Sequence, residues 1–152
     1  MAKQYTLVLV QTPDGCVLIN RAKPPYIGLW NALGGKIEAN ETPQAGAIRE
    51  VQEESGLNLK QMHACGLVHW YVDDQLRGDL HLFAATTDAQ VAPKMTREGV
   101  LAAWPRQWVE DADNLGLVPD LPAMLPLFKA GVPREYVSHF VGERFVDLTV
   151  AP

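Results

Sequence analysis

The stretch Gly34–Leu57, GGKIEANETPQAGAIREVQEESGL, carries five glutamates in 24 residues, and three of them, Glu50, Glu53 and Glu54, fall within one helical turn. Helix punctuation brackets the run. Thr42 can cap the first turn, Pro43 fits the first helical position, and Gly56 fits just beyond the last turn. At about 100° per residue, positions i, i+3 and i+4 project from one face. Ala45, Ile48 and Val51 fall on the opposite side, where they are expected to pack on a sheet. Gly46, one turn earlier on the carboxylate side, leaves room beside the charges. A solvated acidic face is the competing explanation. Against it, like charges at i, i+4 such as Glu50 and Glu54 cost roughly a few tenths of a kcal/mol, and no lysine lies between Lys36 and Lys60 to offset them. Only Arg49 is near. Carboxylates gathered without thiolate or imidazole describe a hard-cation site for Mg²⁺, with Mn²⁺ also admissible. Magnesium binds phosphates jointly with protein, so the chemistry suggested is phosphoryl or pyrophosphoryl transfer.

Around this helix the chain alternates hairpins with helices. YTLVLVQTPDGCVLINR predicts two strands about a Pro13-Asp14-Gly15 turn, and AKPPYIGLWNALGG predicts an ordered loop leading to a short strand over Ala32–Lys36. MHACGLVHWYV and GDLHLFAATT predict a second strand pair. GVLAAWPRQW reads as a strand entering a helix near Pro105, VPDLPAMLPLFKAG as a short helix, and EYVSHFVGERFVDLTV as closing strands. This order argues α+β or a mixed-sheet sandwich rather than a repeating βαβ wind.

The 152 residues and 47% hydrophobic content suit one domain, residues 1–152, with a substantial core. No signal peptide or membrane-length apolar run is present, so a cytoplasmic protein is expected. Cys16 and Cys65 lack metal or redox spacing and are expected to be small buried hydrophobes. A formal net charge of −5 disfavours grip on a nucleic-acid polymer, although a small phosphate ligand bridged by metal stays compatible. No membrane partner is expected, and oligomeric state is not legible.

Gly35, five residues, Glu41, seven residues, then Arg49-Glu50-Val51-Gln52-Glu53-Glu54-Ser55-Gly56-Leu57 resembles the complete signature of the Nudix hydrolases. The resemblance implies an αβα sandwich with a central mixed β-sheet and hydrolysis of a nucleoside diphosphate linked to another group. It also implies roles. Glu50 and Glu54 are the firmest metal ligands, Glu53 a ligand or the base for water, and the Gly34 carbonyl a further ligand. Arg49 orients carboxylates, Glu41 ties the loop to the helix, and Gly35 and Gly56 serve backbone geometry. One more acid is expected from a later loop. Glu98 occupies the corresponding place as ligand or general base, ahead of Asp88 and Glu110.

Within the family the chain is more similar to MutT-like hydrolases of oxidised purine nucleoside triphosphates, such as 8-oxo-dGTP. Trp30-Asn31-x-x-Gly34-Gly35 has the arrangement in which an asparagine meets the purine, so Asn31 is a candidate base reader. VPDLPAMLPLF resembles a segment in which a Trp-Pro-Asp-Asp run meets the base, which places Asp120 on the first aspartate. Val118 stands where the stacking tryptophan would be and Leu121 where the second aspartate would be, so the pocket is altered, and Trp70 is the candidate replacement platform. Arg21 aligns with a basic phosphate contact. His63, His69, His81 and His139 do not cluster, and none is assigned to metal. The signature is equally compatible with other Nudix substrates (ADP-ribose, dinucleoside polyphosphates, nucleotide sugars, capped RNA), and a noncatalytic nucleotide-sensing module is a further alternative.

Overall fold

The structure is a computed structural model and describes residues 2–152. Strands β1 (Lys3–Thr12) and β2 (Gly15–Arg21) form the expected antiparallel hairpin, with Thr12 opposite Gly15. Gly15 takes φ 127°, and a Cβ there would lie 2.0 Å from the Trp104 carbonyl oxygen, so this turn accepts only glycine. A two-residue strand, β3 (Trp30–Asn31), pairs with β2. After helix α1 (Pro43–Ser55) come β4 (His63–Val72) and β5 (Gln75–Thr86), the second expected hairpin. Next follow β6 (Lys94–Met95), β7 (Gly99–Trp104), short helices α2 (Arg106–Val109) and α3 (Leu121–Met124), and a 3₁₀ turn over Leu125–Lys129. β8 (Arg134–Val141) and β9 (Arg144–Val150) close the chain. The sheet order is β6-β7-β2-β1-β5-β4-β8-β9, and β1–β5 and β4–β8 are parallel among antiparallel neighbours.

Alternation along β1 supplies both faces of the sheet. Val8 and Val10 join Val17, Leu33, Phe83 and Leu101 beneath Ala47 and Val51 of α1. Leu7 and Leu9 join Leu18, Cys65 and Val68 beneath the short helices on the other side, through Val109, Leu121, Met124 and Phe128. The result is the mixed-sheet αβα sandwich. Cys16 and Cys65 are both buried and free. No described helix is long and apolar enough to cross a membrane.

Three local expectations need correction. Regular pairing stops at Asn31 rather than covering Ala32–Lys36, where Leu33 and Lys36 make only isolated bridges to Val8 and Tyr5. The cause is Gly34, at φ 146°, where a Cβ would lie 2.0 Å from the Thr6 carbonyl oxygen, and this kink breaks the ladder. Helix α1 buries Gly46, Ala47, Val51 and Glu54 and leaves Ala45 exposed, so Glu54 shares the stripe that faces the sheet. The room beside Gly46 is filled by Glu41, whose Oε1 lies 2.9 Å from where a Cβ would stand.

Candidate active site

Helix α1 is anchored at both ends: Ala45 N–H donates to Thr42 Oγ1 at 3.1 Å, and Gly56, at φ 81°, donates its N–H to Gln52 O. Between these ends Arg49 organises the acids. Its Nε and Nη2 donate to the two oxygens of Glu41 at 2.8 and 2.9 Å, a bidentate pair. Nη1 donates to Glu50 Oε1 at 3.0 Å and Glu53 Oε2 at 3.3 Å, and Nη2 also reaches Lys36 O at 3.1 Å. Glu41 Oε1 in turn accepts from Glu38 N–H at 3.0 Å, tying the preceding loop to the helix. The adjacent guanidinium holds the Glu41 carboxyl down to about 2. Lysine cannot reproduce this fork. Arg49→Lys is therefore expected to lower kcat on the order of 10- to 100-fold through misplaced glutamates, with a lower melting temperature by calorimetry.

Glu54 lies at the other extreme of exposure. It is 7% exposed, and Oε1 accepts the Gly34 N–H at 3.0 Å. Burial pushes its carboxyl up to about 8 against the pull of that N–H, and the charges of Glu50, Glu98 and Glu53 add to the rise. Glu50 is raised too, because burial outweighs its bond to Arg49, with Glu53 and Glu98 contributing. A Cβ on Gly35 would stand 2.5 Å from Glu50 Oε1. The missing side chain is what lets that carboxylate sit against the loop. Glu53 is exposed, as is Glu98, which arrives on the turn between β6 and β7, where Ala22 N–H donates to Glu98 O at 3.1 Å.

Among the described residues no three His, Cys, Asp or Glu side chains stand ready as a metal cluster. The reason is visible in the bonds above: Arg49 draws Glu50 and Glu53 to itself, while Glu54 turns to the Gly34 amide. The donor chemistry nevertheless fits a hard divalent ion. Glu54 is a buried carboxylate with no cation touching it, its neighbours Glu50, Glu53 and Glu98 are all-oxygen donors, and the Gly34 carbonyl takes no backbone donor among the described residues. The histidines are engaged elsewhere: His69 between Asp79 and Glu135, His139 with Asp147, His81 with Gln4, and His63 with the Ala130 carbonyl. Glu110 is paired with Lys129 at 2.8 Å at the end of α2, and Asp88 lies exposed in the β5–β6 connection.

The base-reading candidates gather around β3. Trp30 N–H donates to Gly116 O at 2.8 Å and Val118 N–H to Trp30 O at 2.9 Å, which lays the segment leading to Asp120 alongside Asn31. Asn31 Oδ1 accepts the Ala32 N–H at 2.9 Å, so its carbonyl is partly committed to its own backbone. Val118 is 3% exposed and belongs to the core, so it offers no face for stacking. Asp120 makes no capping bond at the start of α3, and burial pushes its carboxyl up to about 6. Tyr26, which nothing in the sequence singled out, lies near Asp120: burial and that carboxylate raise its phenol, and Tyr26 Oη donates to Glu143 O at 2.6 Å. Arg21 donates Nε to Pro25 O at 2.7 Å and pairs through its backbone with Gly99, next to Glu98. Trp70 stands apart. It meets Tyr5 edge-on, centroids 6.4 Å apart, on β4, with β5 and β1 between it and the β2–β3 pair.

Residues 2–128 match the NUDIX domain family. The chain is 38% identical over 85 residues to an oxidized purine nucleoside triphosphate hydrolase from Mus musculus, a match covering 55% of this chain and 54% of that protein. The hydrolase of the same name from Danio rerio is 38% identical over 86 residues, with the same coverage, 55% and 54%. The chain thus spans about half the length of these curated relatives. In architecture it is similar to a MutT protein from Bacillus halodurans, with a TM-score of 0.77 at 20% identity, covering 99% of this chain and 98% of that one.

Proposed function

The chain belongs to the Nudix family, and we propose that it hydrolyses purine nucleoside triphosphates, oxidised ones such as 8-oxo-dGTP foremost, to nucleoside monophosphate and pyrophosphate. The observation that carries the reading is Glu54, a buried carboxylate beside Glu50 and the Gly34–Gly35 loop, short of a counter-charge. Nudix hydrolases generally use divalent metal ions. We assign Mg²⁺ to Glu50, Glu53, Glu54, Glu98 and the Gly34 carbonyl, where it would neutralise charge developing on the phosphates. The protein's own part is to orient and to move a proton. Arg49 and Glu41 hold the helix acids in register with the loop, and Glu53 or Glu98, both open to solvent, takes the proton of the attacking water. Water oxygen bonds to the β-phosphorus, the bond to the α–β bridging oxygen breaks, and that oxygen leaves on the nucleotide. Arg21 is the proposed phosphate contact. Asn31 and Asp120, brought to one edge by the Trp30–Val118 pairing, are the proposed base readers, with Trp70 as a platform only if the base reaches across to β4.

The substrate preference is supported by the named relatives, each matched over half its length. A panel of nucleoside triphosphates, ADP-ribose, dinucleoside polyphosphates, nucleotide sugars and capped RNA, ranked by kcat/KM in excess Mg²⁺, tests it; a higher value for any non-triphosphate overturns the assignment. Reaction in ¹⁸O water should label pyrophosphate, and label confined to the nucleotide would refute attack at the β-phosphorus. A nucleotide-pool substrate suits a cytoplasmic enzyme, the compartment we propose.

A further inference from the structure

We propose that Thr96 is a positioning residue for Glu98: its hydroxyl clamps the turn that carries this acid to the glutamates of α1. The inference rests on the role given to Glu98 above. Thr96 Oγ1 accepts the N–H of Glu98 at 3.1 Å and of Gly99 at 3.2 Å, and donates to Gly99 O at 2.8 Å. Two backbone bonds close the same turn, Thr96 N–H to Gly99 O at 2.8 Å and Gly99 N–H to Thr96 O at 3.2 Å. The turn is pressed onto the end of β2. Gly99 takes φ 141°, a Cβ there would lie 1.7 Å from Asn20 O, and Ala22 N–H donates to Glu98 O.

The Glu98 side chain itself is exposed and makes no side-chain hydrogen bond among the described residues, so its carboxylate is placed by its backbone alone. That backbone has two fixed points, the Ala22 amide on its carbonyl and the Thr96 hydroxyl on its own amide and the next. A hydroxyl at this position satisfies two amides that no other side chain reaches. Removing it leaves the Thr96–Gly99 backbone bonds to keep the hairpin closed. The fold should survive while the direction of the Glu98 side chain loosens, and catalysis is sensitive to misplacement of that size.

The test compares Thr96→Val, which keeps the shape without the hydroxyl, with Thr96→Ser, which keeps the hydroxyl, and with Glu98→Gln alone and combined with Thr96→Val. The probe is the triphosphate turned over fastest in the panel. Thr96→Val should lower kcat about tenfold with KM nearly unchanged, and Thr96→Ser should stay near the parent. The double variant should be no slower than Glu98→Gln. In the metal-free protein, amide exchange of Glu98 and Gly99 should quicken in Thr96→Val and not in Thr96→Ser. Parent-like kcat in Thr96→Val, full additivity with Glu98→Gln, or unchanged amide exchange overturns the positioning role. Parent-like kcat in Glu98→Gln instead removes the catalytic role of Glu98 and this inference with it, an outcome distinct from failure of Thr96 alone.

Discussion

Glu54→Gln is expected to remove turnover and, in the same variant, to stabilise the metal-free protein at pH 8. The two effects share a cause. Glu54 is buried at 7% exposure, its carboxyl is raised to about 8, and the Gly34 amide is its one hydrogen-bond partner among the described residues. An acid whose folded value lies above its unfolded value of 4.5 binds its proton more tightly in the native state. The stability it contributes is complete below 4.5 and is lost as pH rises from there through about 8. By pH 8 the ionised group costs on the order of 4 kcal/mol. The amide of glutamine carries no charge to desolvate, so the metal-free melting temperature of the variant should vary less between pH 5 and pH 8 than that of the parent. Mg²⁺ should raise the parent's melting temperature at pH 8 far more than the variant's. Losing the metal ligand proposed here should forfeit several kcal/mol of transition-state charge stabilisation, a fall of at least about 10³-fold in kcat. A variant with normal turnover, or a parent whose metal-free stability rises from pH 5 to 8, contradicts this account.

Gly35→Ala is expected to cripple activity while leaving the fold in place. The added Cβ would lie 2.5 Å from both Cδ and Oε1 of Glu50, closer than real contacts allow. Glu50 must swing away, since the obstacle is the far end of its own side chain, and its bond to Arg49 Nη1 goes with it. The expected loss is about 10²-fold in kcat, with a stability cost of about 1–2 kcal/mol from crowding. Gly131→Ala is the control, because a Cβ there meets nothing within 4 Å. A Gly35→Ala enzyme with parental kcat would show that Glu50 does not need its place against the loop.

How much of this was legible in the chain follows from the range of each interaction. The α1 acids are set by a helical period and by caps within a few residues, Thr42 and Gly56. Strand alternation and turn residues are local, so the hairpins and their mixing with helices could be read directly, while the αβα layering came from the resemblance to the Nudix hydrolases. Contacts distant in sequence decided the rest. Ala45 was expected against the sheet and is exposed, because the helix is rolled so that Ala47, Val51 and Glu54 face it. The kink at Gly34 against Thr6 O ended the strand predicted for Ala32–Lys36. Val118 entered the core and Tyr26 came near Asp120 through packing that no periodicity encodes. The sequence by itself determined that Glu50, Glu53 and Glu54 fall within one turn of one helix, since helix geometry is local. Only the tertiary structure decided which of them is buried and short of a counter-charge, because desolvation is a property of the surrounding fold.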